Sequence, residues 1–274
     1  MEEQLKLDLD TDFIIVQNNS LIMANYDMTT MEQKLFLIML STIKKDDSNV
    51  KTTTFRVVDI AYIMQITPQV LYRDLKNVCK KLMGRIIEID NGREGWDIFN
   101  IITRAVYKDK EGLITLTINK QAEPYLLQLK ELFTTFKLEN ALTMDGKYAI
   151  RVYQQAKSNT YKGEYIMKID DFKKKLKLTQ KSYKEYSNIK TKVIQPAIKE
   201  INEKTDINLT VEEIKVGRKV EALKFITSNK QKVRVTNKNP RQAKSKGNGF
   251  NNFEGRNYTK EEYDNIENKL LVWE

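Results

Sequence analysis

The chain has 274 residues, 41% apolar and 31% charged, with a formal net charge of +10 and a pI near 9.3. That is enough apolar material for two modest cores, and the positive excess favours polyanionic partners, nucleic acid ahead of an anionic membrane. Histidine is absent, which excludes His-based acid–base chemistry, Ser-His-Asp and Cys-His nucleophiles, imidazole-ligated zinc and paired-histidine metal sites.

In chain order, Thr29-x-x-Glu32 has the form of a capping box, in which each side chain satisfies an orphan helix amide. Met31, Leu35, Ile38, Met39 and Thr42 then recur at helical spacing, so 29–45 is predicted as an amphipathic helix. A polar loop at 44–51 and a short β-branched strand at 52–57 follow. Helices are expected over 58–66 and 68–83, with Thr67-Pro68 as cap and first helical residue. Leu71, Leu75, Val78, Cys79 and Leu82 form the buried stripe of the latter. Residues 85–90 and 96–106 read as a hairpin turned at Asn91-Gly92. Helix, strand, helix, turn, helix, hairpin is the order of a winged helix. Residues 112–118 alternate as a strand, 124–132 are expected to be a short helix, and 133–138 return to strand; this segment reads as an appendage of the first domain.

A second copy follows, with a helix at 148–157, a strand at 165–169, a short helix at 171–178 and a long basic helix beginning after Thr179. Strands at 207–211 and 222–226 flank a hairpin tipped by Val216-Gly217-Arg218-Lys219. The copies align directly: Phe55-Arg-Val-Val-Asp-Ile60 matches Met167-Lys-Ile-Asp-Asp-Phe172, and Thr67 matches Thr179, at a constant offset of 112. After an insertion of two, Leu71-Tyr-Arg-Asp-Leu-Lys76 matches Glu185-Tyr-Ser-Asn-Ile-Lys190. A constant offset across strand, helix and turn argues for tandem duplication of one unit. The expected fold class is α+β: a first winged-helix domain at 1–140, a second at 141–227, and a basic tail at 228–274. No acid appears in the tail before Glu254, and a short helix at 259–271 would carry Tyr263, Ile266 and Leu270 on one face.

In a helix-turn-helix the second helix enters the major groove by its N-terminal turns. In the second copy that helix carries Lys181, Ser182, Lys184, Asn188, Lys190, Thr191 and Lys192, over a buried side of Tyr186, Ile189, Val193, Ala197 and Ile201. Lysines attract phosphate and donate to guanine, Asn188 suits adenine, and Ser182 and Thr191 suit either role. Pro196, lacking an amide hydrogen, is expected to kink or divide the helix. Lys215, Arg218 and Lys219 around Gly217 would bring charge to the phosphate backbone from the wing. In the first copy Gln69, Arg73, Lys76, Lys80 and Lys81 occupy the groove-facing side of the third helix, with Asp74 among them. That surface suits backbone contact better than base readout.

Competing chemistry finds little footing. The only Gly-Lys pair, Gly146-Lys147, is followed by Tyr148 and lacks the glycine spacing of a phosphate-cradling loop. The acidic pair Glu212-Glu213 reads as a solvated face, and Tyr153 and Tyr183, the conceivable nucleophiles of a nickase or recombinase, each have a packing explanation. No catalytic residue, metal or cofactor is expected. Cys79 reads as buried packing, no intramolecular disulfide is possible, and the longest apolar run, 35–40, is far too short for a bilayer. The start, MEEQLKLDLD, is acidic and lacks signal-peptide form, so a cytoplasmic location is expected.

The stretches Asn25-Tyr-Asp-Met-Thr-Thr-Met-Glu-Gln-Lys-Leu-Phe36, Phe55-Arg-Val, 67–82, and above all Tyr183-x-x-Tyr186 through Lys190-x-x-Val-Ile-Gln-Pro-Ala-Ile-Lys-Glu-Ile-Asn202 resemble the initiator Rep proteins of theta-replicating, iteron-bearing plasmids. The sequence departs from the family look at Gln195, where Glu is common, and in having lysine rather than arginine near 190–192. The resemblance covers roughly 14–227 and omits the tail. It implies monomers bound to repeated duplex sites at an origin, opening of adjacent DNA, and recruitment of the host initiator, helicase and primase. It further implies homodimers, in equilibrium with monomer, that form through the first domain and repress the protein's own gene, with dominant base contacts in the second domain. A winged-helix transcriptional regulator is the alternative on fold alone.

Overall fold

The structure, a computed structural model, describes residues 13–44, 47–50, 52–127, 129 and 131–230. The expected tail helix at 259–271 lies outside them. The chain opens with strand β1 (Ile14–Asn18) and a single helical turn, α1 (Asn19–Ile22). The capping box then starts α2 (Thr30–Ser41): Thr29 N donates to Glu32 Oε2 at 3.1 Å, and Glu32 N donates to Thr29 Oγ1 at 3.3 Å. This helix is not amphipathic as predicted. Every residue from Glu32 to Ser41 is buried, because α2 is covered on several sides by elements from both halves of the chain, and the polar groups of Glu32, Gln33 and Ser41 make internal hydrogen bonds. Arg85 Nε donates to Glu32 Oε2 at 2.7 Å, and Gln33 Nε2 to the Lys147 carbonyl at 2.9 Å.

Strand β2 (Thr52–Arg56) leads into α3 (Val57–Ile63) and α4 (Pro68–Met83), whose stripe from Leu71 to Leu82 is buried. The hairpin is β3 (Ile86–Asp90) and β4 (Trp96–Asn100), joined by a longer turn than Asn91-Gly92 alone, Gly92–Glu94 forming a 3-10 turn. The predicted return strand 96–106 is in fact two. The chain bends at Ile101, and β5 (Ile102–Lys108) leaves β4 to pair with β6 (Leu113–Ile118). Ile101 and Ile102 are both fully buried; two successive inward residues cannot belong to one flat strand, whose side chains alternate between faces. The Asn119 side-chain amide pins the corner by donating to the Asn100 carbonyl at 2.7 Å.

Strand order β2-β6-β5 makes β6 the centre of a sheet rather than an appendage. Among the described residues of 124–132 no α-helix forms; a 3-10 segment, Lys120–Tyr125, capped by Asn119 and containing Pro124, overlaps the start of that span. Proline removes the donor that a longer helix needs. Next come β7 (Phe133–Lys137) and α5 (Leu138–Leu142), then α6 (Lys147–Lys157), β8 (Glu164–Lys168) and α7 (Ile169–Lys175).

The duplication is visible in the backbone. β8 and α7 repeat β2 and α3 at the 112-residue offset, and so does a left-handed residue after each helix, Gln65 (φ 56°) and Lys177 (φ 49°). It also extends further upstream than the sequence match. β1–α1 and β7–α5 are equivalent units, and β1 pairs with β7 antiparallel from Ile14↔Lys137 to Asn18↔Phe133. That pairing ties the first strand to the middle of the chain, and the buried apolar residues form one continuous core. A polar seam runs beside it. The Arg151 guanidinium is buried, sits 3.6 Å from the Tyr26 ring centre, and donates to the Tyr26 hydroxyl and the Ala24 carbonyl. Lys147 pairs with Asp27 at 2.8 Å, and Lys177 with Glu88 at 3.1 Å.

Candidate nucleic-acid interface

The second copy's long helix does not start right after Thr179. Lys181–Lys184 is one 3-10 turn, Glu185 returns to extended backbone (φ −84°, ψ 123°), and the helix proper begins with α8 (Tyr186–Ile189). Lys181, Ser182 and Lys184 thus precede the helix on a turn. Asn188, on α8, bends back and donates from Nδ2 to the Ser182 carbonyl at 2.8 Å, satisfying a backbone group that the broken helix leaves orphaned. Thr191 Oγ1 likewise donates to the Ser187 carbonyl at 2.8 Å. Two side chains expected at bases therefore have donors committed to local backbone.

Beyond α8 the chain widens into a π turn, Lys190–Ile194, and resumes as α9 (Gln195–Lys204). Pro196 stands in the first turn of α9, and the helical dihedrals run through it (Ile194 φ −70°, ψ −56°; Gln195 φ −61°, ψ −46°). Proline offers no N–H to an i−4 carbonyl, and a wider turn just ahead of it accommodates both the missing bond and the ring. The division expected at Pro196 is thus a change of helical register. Ile189, Val193, Ala197 and Ile201 are buried as predicted and the π turn adds Ile194, whereas Tyr186, also expected on that side, is only partly buried. Lys181, Lys184 and Lys192 are exposed and form no ion pair among the described residues.

The wing is β9 (Ile207–Val216) and β10 (Lys219–Asn229), turned at Gly217 with φ +63°, a left-handed conformation that glycine adopts without steric cost. Lys215, Arg218 and Lys219 are exposed there. Helix and wing are connected by Glu213, which the sequence presented as half of a solvated pair. Its Oε1 accepts from Lys190 Nζ at 2.8 Å and from the Tyr186 hydroxyl at 3.0 Å, while Oε2 meets Lys215 Nζ at 3.2 Å. These donors, Lys190 foremost, hold its carboxyl down at about 2. The same residues line an open groove of about 640 Å³ floored by Ile194, Ile198 and Val211. The spacing of Glu213 two residues before Lys215 was the available signal, but its partners on α8 and in the π turn are distant in sequence.

On the first copy, Gln69, Arg73, Lys76, Lys80 and Lys81 are all exposed along α4. Arg73 is held by Asp74 through two contacts of 2.9 Å, which reduces the charge it presents. An exposed pair, Tyr72 and Tyr107, borders this surface with ring centres 6.3 Å apart. Sequence reading passed over Tyr72 because it falls just outside the buried stripe.

The tyrosines weighed as nucleophiles are packed. Tyr153 is wholly buried, its hydroxyl donating to Asp206 Oδ1 at 3.0 Å, and Tyr183 is 8% exposed. Burial of Cys79 pushes its thiol up to about 11. Among the described residues no helix is long and apolar enough to cross a membrane.

Residues 14–157 match the family described as initiator replication protein, WH1, and residues 168–227 match initiator Rep protein, WH2. A replication initiation protein of Escherichia coli is 28% identical over 225 residues, covering 78% of this chain and 69% of that protein. The PI protein of Escherichia coli is 31% identical over 206 residues, covering 62% of this chain and 67% of its own length. Among solved structures, the Pi initiator protein in complex with iteron DNA superposes with a TM-score of 0.63 at 25% identity, over 81% of this chain and 99% of that one. Two tandem winged helices, built from one duplicated unit and matched in both halves, place the chain in the initiator replication protein family.

Proposed function

We propose that this chain is a plasmid replication initiator that binds repeated sites in duplex DNA at its origin. The observation that carries the reading is the superposition on an initiator complexed with iteron DNA, which spans nearly the whole of that protein. The basic surfaces support it: Lys181, Lys184 and Lys192 along the second copy's helix and Arg218 at the wing tip are exposed and form no ion pair among the described residues, Lys190, Lys215 and Lys219 are exposed but paired with nearby acids, and α4 carries a second, partly neutralised set. The second winged helix supplies the dominant contacts, through Lys181, Lys184, Lys190, Lys192 and the wing cations Lys215, Arg218 and Lys219. The first, through Gln69, Arg73, Lys76 and Lys80, follows the phosphate backbone. Opening of adjacent duplex, recruitment of host initiator, helicase and primase, and autorepression by a homodimer formed through the first domain complete the proposed role. Nothing in the role calls for a catalytic residue, and it is exercised in the cytoplasm.

The test is a transformation assay with the gene and its flanking DNA joined to an otherwise non-replicating marker. Stable replication that depends on the intact gene is the expected result. Failure to replicate in a competent host, with promoter binding retained, would assign the chain to transcriptional regulation.

A further inference from the structure

Glu213 faces the recognition helix, its side chain 19% exposed, while the neighbouring Glu212 faces solvent. One carboxylate bridges two ammonium groups from different elements, Lys190 at 2.8 Å and Lys215 at 3.2 Å, whose side chains remain 46% and 54% exposed. The Tyr186 hydroxyl, donating to the same carboxylate at 3.0 Å, anchors it to α8 independently of either lysine. If the lysines swing outward, the acid stays where it is. A compact anion held between helix and wing, contacted by two half-exposed cations and one partly buried neutral donor, has the local chemistry of a bound phosphate.

We propose that Glu213 is a positioning residue that acts as an internal phosphate surrogate, holding Lys190 and Lys215 until DNA phosphates displace it. This rests on the assignment of this face to DNA made above. Non-specific complexes draw almost entirely on phosphate attraction, and here two of the cations that provide it are already engaged. A specific complex, whose base contacts fix the phosphates in register with helix and wing, recovers the loss by exchanging one anion for another. Glu213 thereby penalises random duplex more than the cognate site, setting the ratio between them. Lysine departure leaves an unpaired carboxylate that takes up a solvent cation, offsetting one of the cations released from DNA.

The test titrates the full chain across salt concentrations against two duplexes, the DNA flanking its own coding sequence and a shuffled duplex of equal length and composition. Glu213→Gln keeps the size and the acceptor for Tyr186 but removes the charge. The expected result is several-fold tighter binding to the shuffled duplex, little change or a loss on the flanking duplex, and a log affinity–log salt slope steeper by about one. Glu213→Asp should restore the wild-type ratio. Parallel weakening on both duplexes, or an unchanged ratio and slope, would overturn the proposal and leave Glu213 as a mechanical tie. A separate failure is diagnosed by the double variant Lys190→Ala, Lys215→Ala. If it keeps the wild-type slope and affinity on flanking DNA, this face is not the DNA interface.

Discussion

The second helices of the two helix-turn-helix units occupy matching places in the fold and differ in opposite ways. In the first copy α4 is regular over 16 residues from Pro68, its cations lie open, and the one bidentate contact, Arg73 to Asp74, is local to the surface. In the second, the start of the helix is replaced by a 3-10 turn and an extended Glu185, a π turn precedes Pro196, and two lysines are tied through Glu213. Irregular helical geometry concentrates at functional sites, and here it gathers where the basic side chains do. The regular copy offers a charged rail; the irregular one fixes particular side chains relative to a wing.

That contrast concerns surfaces, since the interior is common to both copies. Leu71 on α4 and Ile201 on α9 are each fully buried in the same cluster. Leu71→Ala and Ile201→Ala should each cost about 2–5 kcal/mol. Both should move a single cooperative transition in denaturant. Two separable transitions, each sensitive to one substitution, would mean that the copies fold independently and that the shared core contributes little.

Much of this was legible in advance. The capping box, the exact span 68–83, the wing tip and the 112-residue offset all came from local spacing, which sequence records directly. What escaped depends on contacts distant along the chain. The periodicity of α2 revealed one apolar face, whereas Gln33 is buried with its side-chain amide donating to the Lys147 carbonyl, more than a hundred residues away in sequence. The pairing of β1 with β7 and the sheet switch at Ile101 likewise need partners far away in sequence. At the site, residues 180–185 contain no proline or glycine to announce a broken helix, and the donors of Asn188 looked available until the Ser182 carbonyl was placed beside them.

A smaller effect sharpens the comparison at the hairpins. Gly92 in the first copy and Gly217 in the second both have φ +63°, and a Cβ at either would meet nothing within 4 Å. Alanine at each should therefore cost only the left-handed strain, about 1–2 kcal/mol in denaturant unfolding. DNA affinity should fall for Gly217→Ala and hold for Gly92→Ala. Equal losses of affinity would remove the distinction between the two wings.

The smallest expected effect is with pH. The Glu213 carboxyl is depressed from its ordinary 4.5 to about 2. Its tie between helix and wing is therefore fully present above the ordinary value and is lost only as pH falls through about 2. Carbon NMR of the Glu213 carboxyl should show its midpoint near the lower value, and a midpoint near 4.5 would mean that the lysines do not engage it in solution.

The claim that the second copy reads sequence while the first follows the backbone is tested most directly by a ratio of affinities, for flanking and for shuffled duplex, measured at one salt concentration. Alanine at Lys181, Lys184 and Lys192 together should collapse that ratio toward one. Alanine at Gln69, Arg73, Lys76 and Lys80 should weaken both duplexes alike and leave the ratio in place. The reverse pattern, with specificity lost from α4 and kept in the second copy, would contradict it.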